Sequence, residues 1–294
     1  MRSRWSGSYT RSSSAASDER GAAMCELYGM SATHPVGTRL SFGRFAEHGG
    51  PHRRQADGWG LAMWEGLAVR LLKEPEAAVD SPWVRLVAGL DLEASTLVAH
   101  VRRATRGGRS LSNTQPFCRE LHGRHHVFAH NGDLGQLILR PDTVREPIGD
   151  TDSERAFCLL LERIRSAWGR GHIPELEERA RIVLSLAESL AARGPFNFLY
   201  GDGDALFAYA DRRAPLDAPE PRPGLWLQEQ RCTRDAPVTH HGLTHTTESP
   251  NRLVRIASVP LDDAPWRALP RGTLVVLRGG IVALKKSSCG GSSP

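Results

Sequence analysis

The hydrophobic residues of this chain fall into short runs whose length suits β-strands. Gly, Asp and Asn bound most of these runs, as they often do at the ends of strands. Two of the runs are separated by Asp202-Gly203, a dipeptide typical of tight hairpin turns. The pattern predicts strands at 25–30, 58–64, 67–73, 95–102, 125–130, 196–201, 204–210, 253–259 and 273–284.

Two further segments carry apolar residues at helical spacing. They are 153–165 and 175–192, and Thr151 offers a capping hydroxyl just before the first of them. Because these helices interrupt groups of strands without alternating with single strands, the order favours an α+β fold of antiparallel sheets layered with helices. Between 211 and 250 Pro, Arg, Asp and His dominate, which predicts a long irregular segment.

Both ends of the chain differ in composition from the middle. Residues 1–23 are rich in Ser, Arg, Gly and Ala and lack the apolar stretch of a secretory signal. We interpret 1–24 as a disordered extension, which a mis-assigned start, a removed pro-segment or an organelle-targeting function would each explain. The Met24-Cys25 junction favours the first explanation. The end of the chain, 285–294, is predicted to be a disordered tail, which leaves a single domain at 25–284.

Composition argues against two classes of partner. The net charge of the 294 residues is +5, but lysine occurs only at 73, 285 and 286 and the arginines are interleaved with acids, so no nucleic-acid-binding stripe is expected. The apolar runs fall short of the roughly 20 residues that a membrane-spanning helix needs. The five cysteines are widely spaced and form no Cys-x-x-Cys, which disfavours disulfides and favours a reducing, cytoplasmic setting.

Cys25 is the first candidate for chemistry, since it directly follows an internal methionine. If translation begins at Met24 and that methionine is removed, Cys25 carries both a thiol and a free α-amine. The thiol is intrinsically nucleophilic, and an α-amine with a pKa of about 7.7–8.0 suits a general base near neutral pH. A buried structural cysteine at the start of a strand is the alternative.

Four downstream segments supply further groups that an amide-cleaving cysteine enzyme needs. Arg102, at a strand end, can bind a carboxylate through two parallel hydrogen bonds, unless it is a surface arginine. Asn131 and Gly132 can stabilise an oxyanion, although a plain Asn-Gly turn is the alternative. Asp152 can hold an ammonium group but suits a helix start equally well. The segments are 100–105, 112–117, 130–133 and 149–154.

The order of these segments resembles that of a known family. The chain is similar to the class II, N-terminal-nucleophile glutamine amidotransferases, and most of all to their stand-alone, single-domain branch. The similarity runs from Cys25 to about residue 280 and is weakest at 211–250. The motifs that carry it are Cys25, Asp57-Gly58-Trp59-Gly60, His100-x-Arg102-x-Ala104-Thr105, Asn113-Thr114-x-Pro116-Phe117, Phe128-Ala129-His130-Asn131-Gly132 and Gly149-Asp150-Thr151-Asp152-Ser153-Glu154.

The resemblance implies a four-layer αββα sandwich, in which helices flank two antiparallel sheets and the nucleophile ends an inner strand. It implies that Cys25 is the nucleophile and that its α-amine is the general base. Asn131 and Gly132 correspond to the oxyanion hole. Arg102 corresponds to the residue that binds the glutamine α-carboxylate, and Asp152 to the one that binds the α-ammonium group.

Three further positions complete the comparison with the family. Thr105 lies in the arginine motif and is implied to help bind the carboxylate. Trp59 belongs to a motif that lines the pocket, although a tryptophan of the hydrophobic core is the alternative. Gln115 departs from the family, because members of this branch usually carry His there, and a support or substrate contact is expected to differ.

The resemblance implies an enzyme that cleaves the side-chain amide of glutamine, or of a larger γ-glutamyl amide, through a thioester on Cys25. The amidase-like region leaves no room for an ammonia-consuming domain, so the chain is expected to act alone or to supply a separate partner protein. A catalytically silent binding or regulatory subunit is the alternative from another class. No cofactor or metal is expected, because the histidines at 122–130 and 240–245 lack the paired Cys or acidic residues of a zinc site.

Overall fold

The computed structural model describes residues 25–40, 57–78, 81–88, 90, 92–102, 107–139, 145–169, 172–213, 222–233, 238–240, 243–246 and 250–288. Within these residues the chain forms two antiparallel sheets whose inner faces pack against each other. Helices lie on the outer faces of both sheets. The predicted α+β sandwich is confirmed.

The strands follow one another as antiparallel neighbours in most parts of the chain. In chain order they are β1 Glu26–Leu40, β2 Trp59–Glu65, β3 Ala68–Glu74, β4 Leu92–Val101, β5 Phe117–Leu121, β6 Arg124–Gly132, β7 Phe196–Gly201, β8 Leu206–Ala210, β9 Arg212–Arg213, β10 Arg222–Pro223, β11 Trp226–Cys232, β12 Val238–His240, β13 Leu243–Thr246, β14 Asn251–Ala257, β15 Arg267–Ala268, β16 Thr273–Arg278 and β17 Ile281–Ser287.

The strand that follows Cys25 lies inside the larger sheet. This nine-stranded sheet has the order β15-β11-β14-β1-β4-β2-β3, and β13 pairs with the far end of β1 and with β12. The second, six-stranded sheet has the order β17-β16-β8-β7-β6-β5, and β9 and β10 form a separate short ladder. The start of β1 and the end of β6 lie at the same end of the sandwich, because the Asn131 side chain contacts the Cys25 carbonyl.

The helices cover the outer faces of the two sheets. Helix α1, Pro82–Ala88, packs on the first sheet through Val84 and Val87. Helices α2, Asp152–Ala167, and α3, Leu176–Ala191, cover the second sheet. These two helices confirm the segments predicted at 153–165 and 175–192. No helix among the described residues is long and apolar enough to cross a membrane.

The core between the sheets follows from the alternation of side chains along the strands. Leu27 of β1 and Val98 of β4 face inward and meet Leu199 of β7, and all three are fully buried. Tyr28 and Met30 point to the opposite face, where they pack beneath α1 with the outer core of the first sheet. The first residues of β1 are thus buried on both faces, which holds the start of this strand in a fixed position.

The start of α2 is fixed by a side-chain cap. The Thr151 hydroxyl accepts a hydrogen bond from the backbone N–H of Glu154 at 3.2 Å, as expected for an N-cap residue. The apolar stripe of α2, which includes Phe157 and Leu161, is fully buried against the second sheet. The cap and the stripe together place Asp152 at the sheet end where β6 finishes.

The prediction of a long irregular segment at 211–250 was wrong in part. Strand β11 pairs with all seven residues of β14. Its polar residues are satisfied within the ladder, because the buried Arg255 donates to the side-chain oxygens of Gln228 and Gln230 at 2.7–3.0 Å. Because β11 contains these polar residues, its sequence shows no apolar run of the kind that predicts a strand. For this reason the segment was predicted to be irregular.

The predicted single strand at 273–284 is a hairpin, and the tail boundary at 284 was also wrong. Gly279 and Gly280 turn the chain with φ values of +57° and +74°, a region that favours glycine. β17 then continues to Ser287, and Lys286 forms a 2.5 Å ion pair with Glu177 of α3. The rest of the predicted tail, from 289, and the predicted extension at 1–24 lie outside the described residues.

Two buried histidines are held in their neutral form. The Nδ1 atom of His126 lies 2.7 Å from the Tyr200 hydroxyl, and its Nε2 atom lies 3.3 Å from the Leu121 carbonyl. His100 is fully buried on the face of β4 that meets the second sheet. Burial lowers the pKa of each of these two histidines to about 3.

Acidification from about pH 7.5 to about pH 5 is expected to destabilise the protein. An unfolded histidine has a pKa of about 6.5, so below that pH the unfolded chain binds more protons than the folded chain. Stability should fall until the folded histidines titrate as well, and the two residues together should cost about 4 kcal/mol at pH 5. Urea-denaturation midpoints at the two pH values measure this loss.

Replacing His126 with Gln should reduce the loss of stability between the two pH values by about 2 kcal/mol, the contribution of this one residue. The same exchange at the exposed His34 serves as the control and should leave it unchanged. Equal free energies of unfolding at both pH values would contradict the presence of neutral buried histidines.

Candidate active site

The ends of three neighbouring strands meet at Cys25. Cys25 precedes β1, and Arg102 follows β4, whose last residue pairs with the first residue of β1. The backbone N–H of Arg102 donates to the Gly58 carbonyl at 2.8 Å, and the N–H of Asp57 donates to the Arg102 carbonyl at 2.7 Å. The predicted nucleophile, which is half-buried, and the predicted carboxylate-binding arginine therefore share one end of the first sheet.

Asn131 reaches the same place from the facing sheet. Its Nδ2 atom donates to the Cys25 carbonyl at 2.5 Å and, in a longer contact of 3.4 Å, to the Ser258 Oγ atom. On the neighbouring strand β7, the buried Asn197 donates to the Asn131 carbonyl at 3.2 Å. The predicted oxyanion donor thus contacts the residue that carries the predicted nucleophile.

Gly132 occupies a place that no side chain could share. A Cβ atom at this position would overlap the Pro195 carbonyl oxygen and would lie 2.7 Å from the Nε2 atom of His130. Any larger residue would push the end of β6 away from the segment before β7. The close approach of two backbones explains why the sequence has glycine after Asn131.

Asp152 begins helix α2 and accepts backbone hydrogen bonds on both carboxylate oxygens. Its Oδ2 atom accepts from the N–H of Leu134 at 2.7 Å, and its Oδ1 atom accepts from the N–H of Ser153 at 2.8 Å. Leu134 lies just beyond β6, so the first of these bonds connects the helix start to the Asn131 segment. The carboxylate also borders a cavity of about 340 Å³ that Asp150 and Arg155 help to line.

Arg102 is buried, and backbone carbonyls orient its guanidinium group. The nitrogens donate to the carbonyls of Asp57, Gly107 and Gly108 at 3.2–3.4 Å. Contacts of this kind hold the planar group in one orientation, which bidentate binding of a carboxylate requires. Thr105, from the same motif, lies outside the described residues.

Trp59 is placed among core residues. Its side chain is 1% exposed and packs within the outer core of the first sheet, and its indole N–H donates to Glu74 at 3.2 Å. The structure therefore brings Trp59 next to the site through its backbone, since the preceding Gly58 pairs with Arg102. Its role in lining a pocket stays a prediction.

His130 connects the Asn131 segment with the start of α2. Its Nδ1 atom lies 2.8 Å from the Ser153 Oγ atom and its Nε2 atom lies 3.5 Å from the Pro195 carbonyl. Burial lowers the pKa of His130, although the nearby Asp152 opposes that shift. A neutral ring that donates from Nε2 to Pro195 and accepts at Nδ1 from Ser153 satisfies both contacts.

Sequence reasoning missed two residues that hold Asn131. Ser258 accepts from the Asn131 amide and, at 3.0 Å, from the backbone N–H of Leu27. Asn197 supports Asn131 from the other side. Ser258 is 127 residues from Asn131 in the chain, and Asn197 is 66 residues away. No local pattern marks either residue, and only the pairing of the strands reveals them.

The grouped side chains offer the parts needed to act on an amide that carries an amino-acid end. A thiol, an amide donor, a guanidinium group and a carboxylate occupy one end of the sandwich, at Cys25, Asn131, Arg102 and Asp152. Within the described ranges, His, Cys, Asp and Glu side chains form no group of three that could hold a metal ion.

Comparison with known proteins agrees with this description. Residues 24–292 match the family described as "Glutamine amidotransferases class-II". The Escherichia coli (strain K12) protein named "Putative glutamine amidotransferase YafJ" is 40% identical over 203 residues, which are 66% of this chain and 78% of that protein. A Haemophilus influenzae protein named "Putative glutamine amidotransferase" is 35% identical over 200 residues, 66% of this chain and 67% of its own length.

A solved structure extends the similarity over the fold. It is described as a "predicted glutamine amidotransferase from Pseudomonas aeruginosa PA01", and it matches with a TM-score of 0.67 and 33% identity over 88% of this chain and 100% of that chain. The two-sheet sandwich and the family match thus agree with each other. The chain belongs to the class II glutamine amidotransferases, as its sequence motifs predicted.

Proposed function

We propose that the protein hydrolyses the side-chain amide of glutamine, or of a γ-glutamyl amide, with Cys25 as nucleophile and as the first residue of the mature chain. The observation that carries this proposal is the 2.5 Å hydrogen bond from Asn131 to the Cys25 carbonyl. It brings a strong amide donor from one sheet to the thiol-bearing residue of the other. A site for acyl transfer needs that combination of nucleophile and oxyanion donor.

The reaction proceeds in two steps, acylation of Cys25 and hydrolysis of the resulting thioester. The Cys25 thiolate, whose proton passes to its own α-amine, bonds to the amide carbon, and the carbonyl oxygen becomes an oxyanion. The C–N bond then breaks, the α-amine returns the proton to the leaving nitrogen, and ammonia or an amine departs from the thioester. Water, deprotonated by the same amine, attacks the thioester and releases glutamate while the thiol regains a proton.

In this scheme Asn131 and Gly132 stabilise the oxyanion by donating hydrogen bonds to it. The contact between Asn131 and Ser258, at 3.4 Å, is the weaker of the two bonds that the amide donates, and it is the one that an oxyanion replaces. The 2.5 Å bond to Cys25 remains and keeps the amide aligned with the nucleophile. A preorganised donor of this kind contributes about 2.7–4 kcal/mol to acyl transfer.

Arg102 and Asp152 bind the amino-acid end of the substrate. The guanidinium group pairs with the α-carboxylate, assisted by Thr105, and the carboxylate of Asp152 pairs with the α-ammonium group. Trp59 adjoins these residues through its backbone, since the carbonyl of the preceding Gly58 accepts a hydrogen bond from the N–H of Arg102. Because these contacts recognise only the glutamyl end, a γ-glutamyl amide larger than glutamine fits the same scheme, and so does delivery of ammonia to a separate partner protein.

The chemistry requires a free α-amine on Cys25 and therefore a mature chain that begins there. The described cysteines form no disulfide with one another, which supports a reducing, cytoplasmic setting. Expression from Met24, with methionine removal confirmed by intact mass, should yield ammonia from L-glutamine or from γ-glutamyl amides. A folded protein with an exposed N-terminal Cys25 and no turnover on either would favour a silent subunit instead.

Replacing Asp152 with Asn is expected to raise KM for glutamine by about 10- to 100-fold. A buried carboxylate that pairs with an ammonium group contributes more than a neutral hydrogen bond, whereas kcat depends mainly on Cys25 and Asn131. Steady-state ammonia release, measured over a range of glutamine concentrations, gives both constants.

A substrate that lacks the amino group supplies the control for this prediction. Glutaramate keeps the carboxylate and the amide of glutamine but has no α-ammonium group. Wild type should prefer glutamine strongly, and the Asp152→Asn variant should lose most of that preference. Equal losses on both substrates would show that Asp152 acts through the fold and not through the ammonium group.

A further inference from the structure

The side chain of Gln115 forms a two-bond fork with the backbone of His130. Its Nε2 atom donates to the His130 carbonyl at 3.2 Å, and its Oε1 atom accepts from the His130 N–H at 2.6 Å. Gln115 is 4% exposed. In an antiparallel sheet, the backbone N–H and carbonyl of a residue bond to the backbone of the residue opposite. Here the Gln115 side chain makes both of these bonds instead.

The register of β5 and β6 explains why a side chain does this. The ladder includes the pair Phe117 and Phe128, and its continuation would place residue 115 opposite His130. Residue 116 is proline, which has no N–H, and β5 begins only after it. The Gln115 amide therefore supplies the donor and the acceptor that β5 would otherwise have offered to β6.

The fork acts at the residue that directly precedes Asn131. On its other side, β6 pairs with β7, where His130 lies opposite Phe198. The His130 ring contacts Ser153 at the start of α2. His130 is thus held by the Gln115 fork, by β7 and by α2, and its position sets where the Asn131 amide lies relative to Cys25.

We propose that Gln115 is a positioning residue for the oxyanion donor, an inference that rests on the proposed function. It acts through His130 on Asn131 and touches no reacting atom. The role requires a donor and an acceptor side by side, which an amide provides and a carboxylate does not.

The test is Gln115→Glu, which keeps the shape of the side chain and loses its donor. The introduced carboxylate also places a negatively charged oxygen next to the His130 carbonyl oxygen, and the two repel each other. We expect kcat for glutamine to fall by about 10- to 100-fold, since small displacements of a catalytic group have effects of this size. KM should stay within about twofold, because the substrate-binding residues Arg102 and Asp152 are not altered.

The pH dependence separates positioning from a general loss of stability. Protonation of the introduced carboxyl restores a donor next to an acceptor, and burial favours the protonated form. The ratio of kcat for Gln115→Glu to kcat for wild type should therefore rise as the pH falls from about 8 to about 6. A ratio that does not change with pH would overturn the proposal.

Asn251→Asp is the matched control. Asn251 is a buried amide at the far end of β14 that forms a similar clasp, with its Nδ2 atom donating to the His34 carbonyl at 2.9 Å and its Oδ1 atom accepting from two backbone N–H groups. This variant should lose stability and keep its kcat. A fall in kcat equal to that of Gln115→Glu would show that any lost buried amide slows the enzyme, and would overturn the proposal.

A second variant covers the case in which Gln115→Glu does not fold. Gln115→His has one donor and one acceptor on opposite sides of the ring, so it can make one bond of the fork, and kcat should fall by about 10-fold with KM unchanged. An unchanged kcat for this variant, with an active wild type, would overturn the inference alone. An inactive wild type would overturn the proposed function as well.

Discussion

Replacing Cys25 with alanine, in a chain that begins at this residue, is expected to abolish the release of ammonia from glutamine. Loss of a catalytic nucleophile lowers kcat on the order of 10⁶-fold in enzymes that work through a covalent intermediate. The fold should survive, because the Cys25 side chain is only half-buried and Asn131 contacts its backbone carbonyl instead. Ammonia release and the thermal unfolding midpoint should be measured on the same preparation.

Cys118 is the matched control for this experiment. Like Cys25, it is half-buried, and burial raises the pKa of its thiol, which disfavours the reactive thiolate. Cys118→Ala should keep wild-type turnover. Turnover that survives in the Cys25→Ala protein, or is lost in the Cys118→Ala protein, would contradict the assignment of the nucleophile.

Replacing Asn131 with aspartate is expected to have the second largest effect. The change keeps the size of the side chain, removes the amide donor and adds a negative charge where the oxyanion forms. We expect kcat to fall by about 10²–10³-fold, the usual cost of removing one oxyanion donor, and KM to change little. Steady-state kinetics on glutamine measure both constants.

The Asn251→Asp protein serves again as the control, since it loses a buried amide far from the site. Its kcat should match that of wild type. If Asn131→Asp raised KM and left kcat unchanged, Asn131 would be a substrate-binding residue and the oxyanion assignment would be wrong.

The elements that carry the site were predictable because each has a local signal. Asn131 and Gly132 directly follow the apolar run at 125–130, and the structure ends β6 at Gly132. The helix that begins at Asp152 has its N-cap, Thr151, in the sequence itself. Apolar runs and caps depend on near neighbours in the chain, so the sequence alone reveals them.

Elements whose stability depends on distant partners were not predictable. Strand β11 owes its place to Arg255, which lies more than twenty residues further along the chain and pairs with its glutamines. Helix α1 has seven residues and leaves Trp83 and Leu86 exposed, so no helical stripe marks it. In both cases the tertiary partner, and not the local pattern, decides the structure.

The candidate site likewise contains residues that the sequence could identify and residues that only the fold reveals. Cys25, Arg102, Asn131 and Asp152 could be named from motifs, because a resemblance to a family gave each motif its meaning. The residues that position Asn131 could not be named from motifs. The Ser258 contact and the Gln115 fork form only when strands pair or sheets face each other. Sequence motifs thus pointed to the reacting groups, and the fold reveals the contacts that orient Asn131.

The proposed mechanism requires Cys25, as the first residue, to form a thioester with the glutamyl group. Rapid acid quenching of the mature protein with L-glutamine, followed by intact-mass analysis and peptide mapping, tests it directly. We expect a glutamyl adduct on Cys25 that decays with the release of glutamate, and no adduct in a chain that retains residues 1–24. A folded protein with a verified N-terminal Cys25 that forms neither adduct nor ammonia would contradict it.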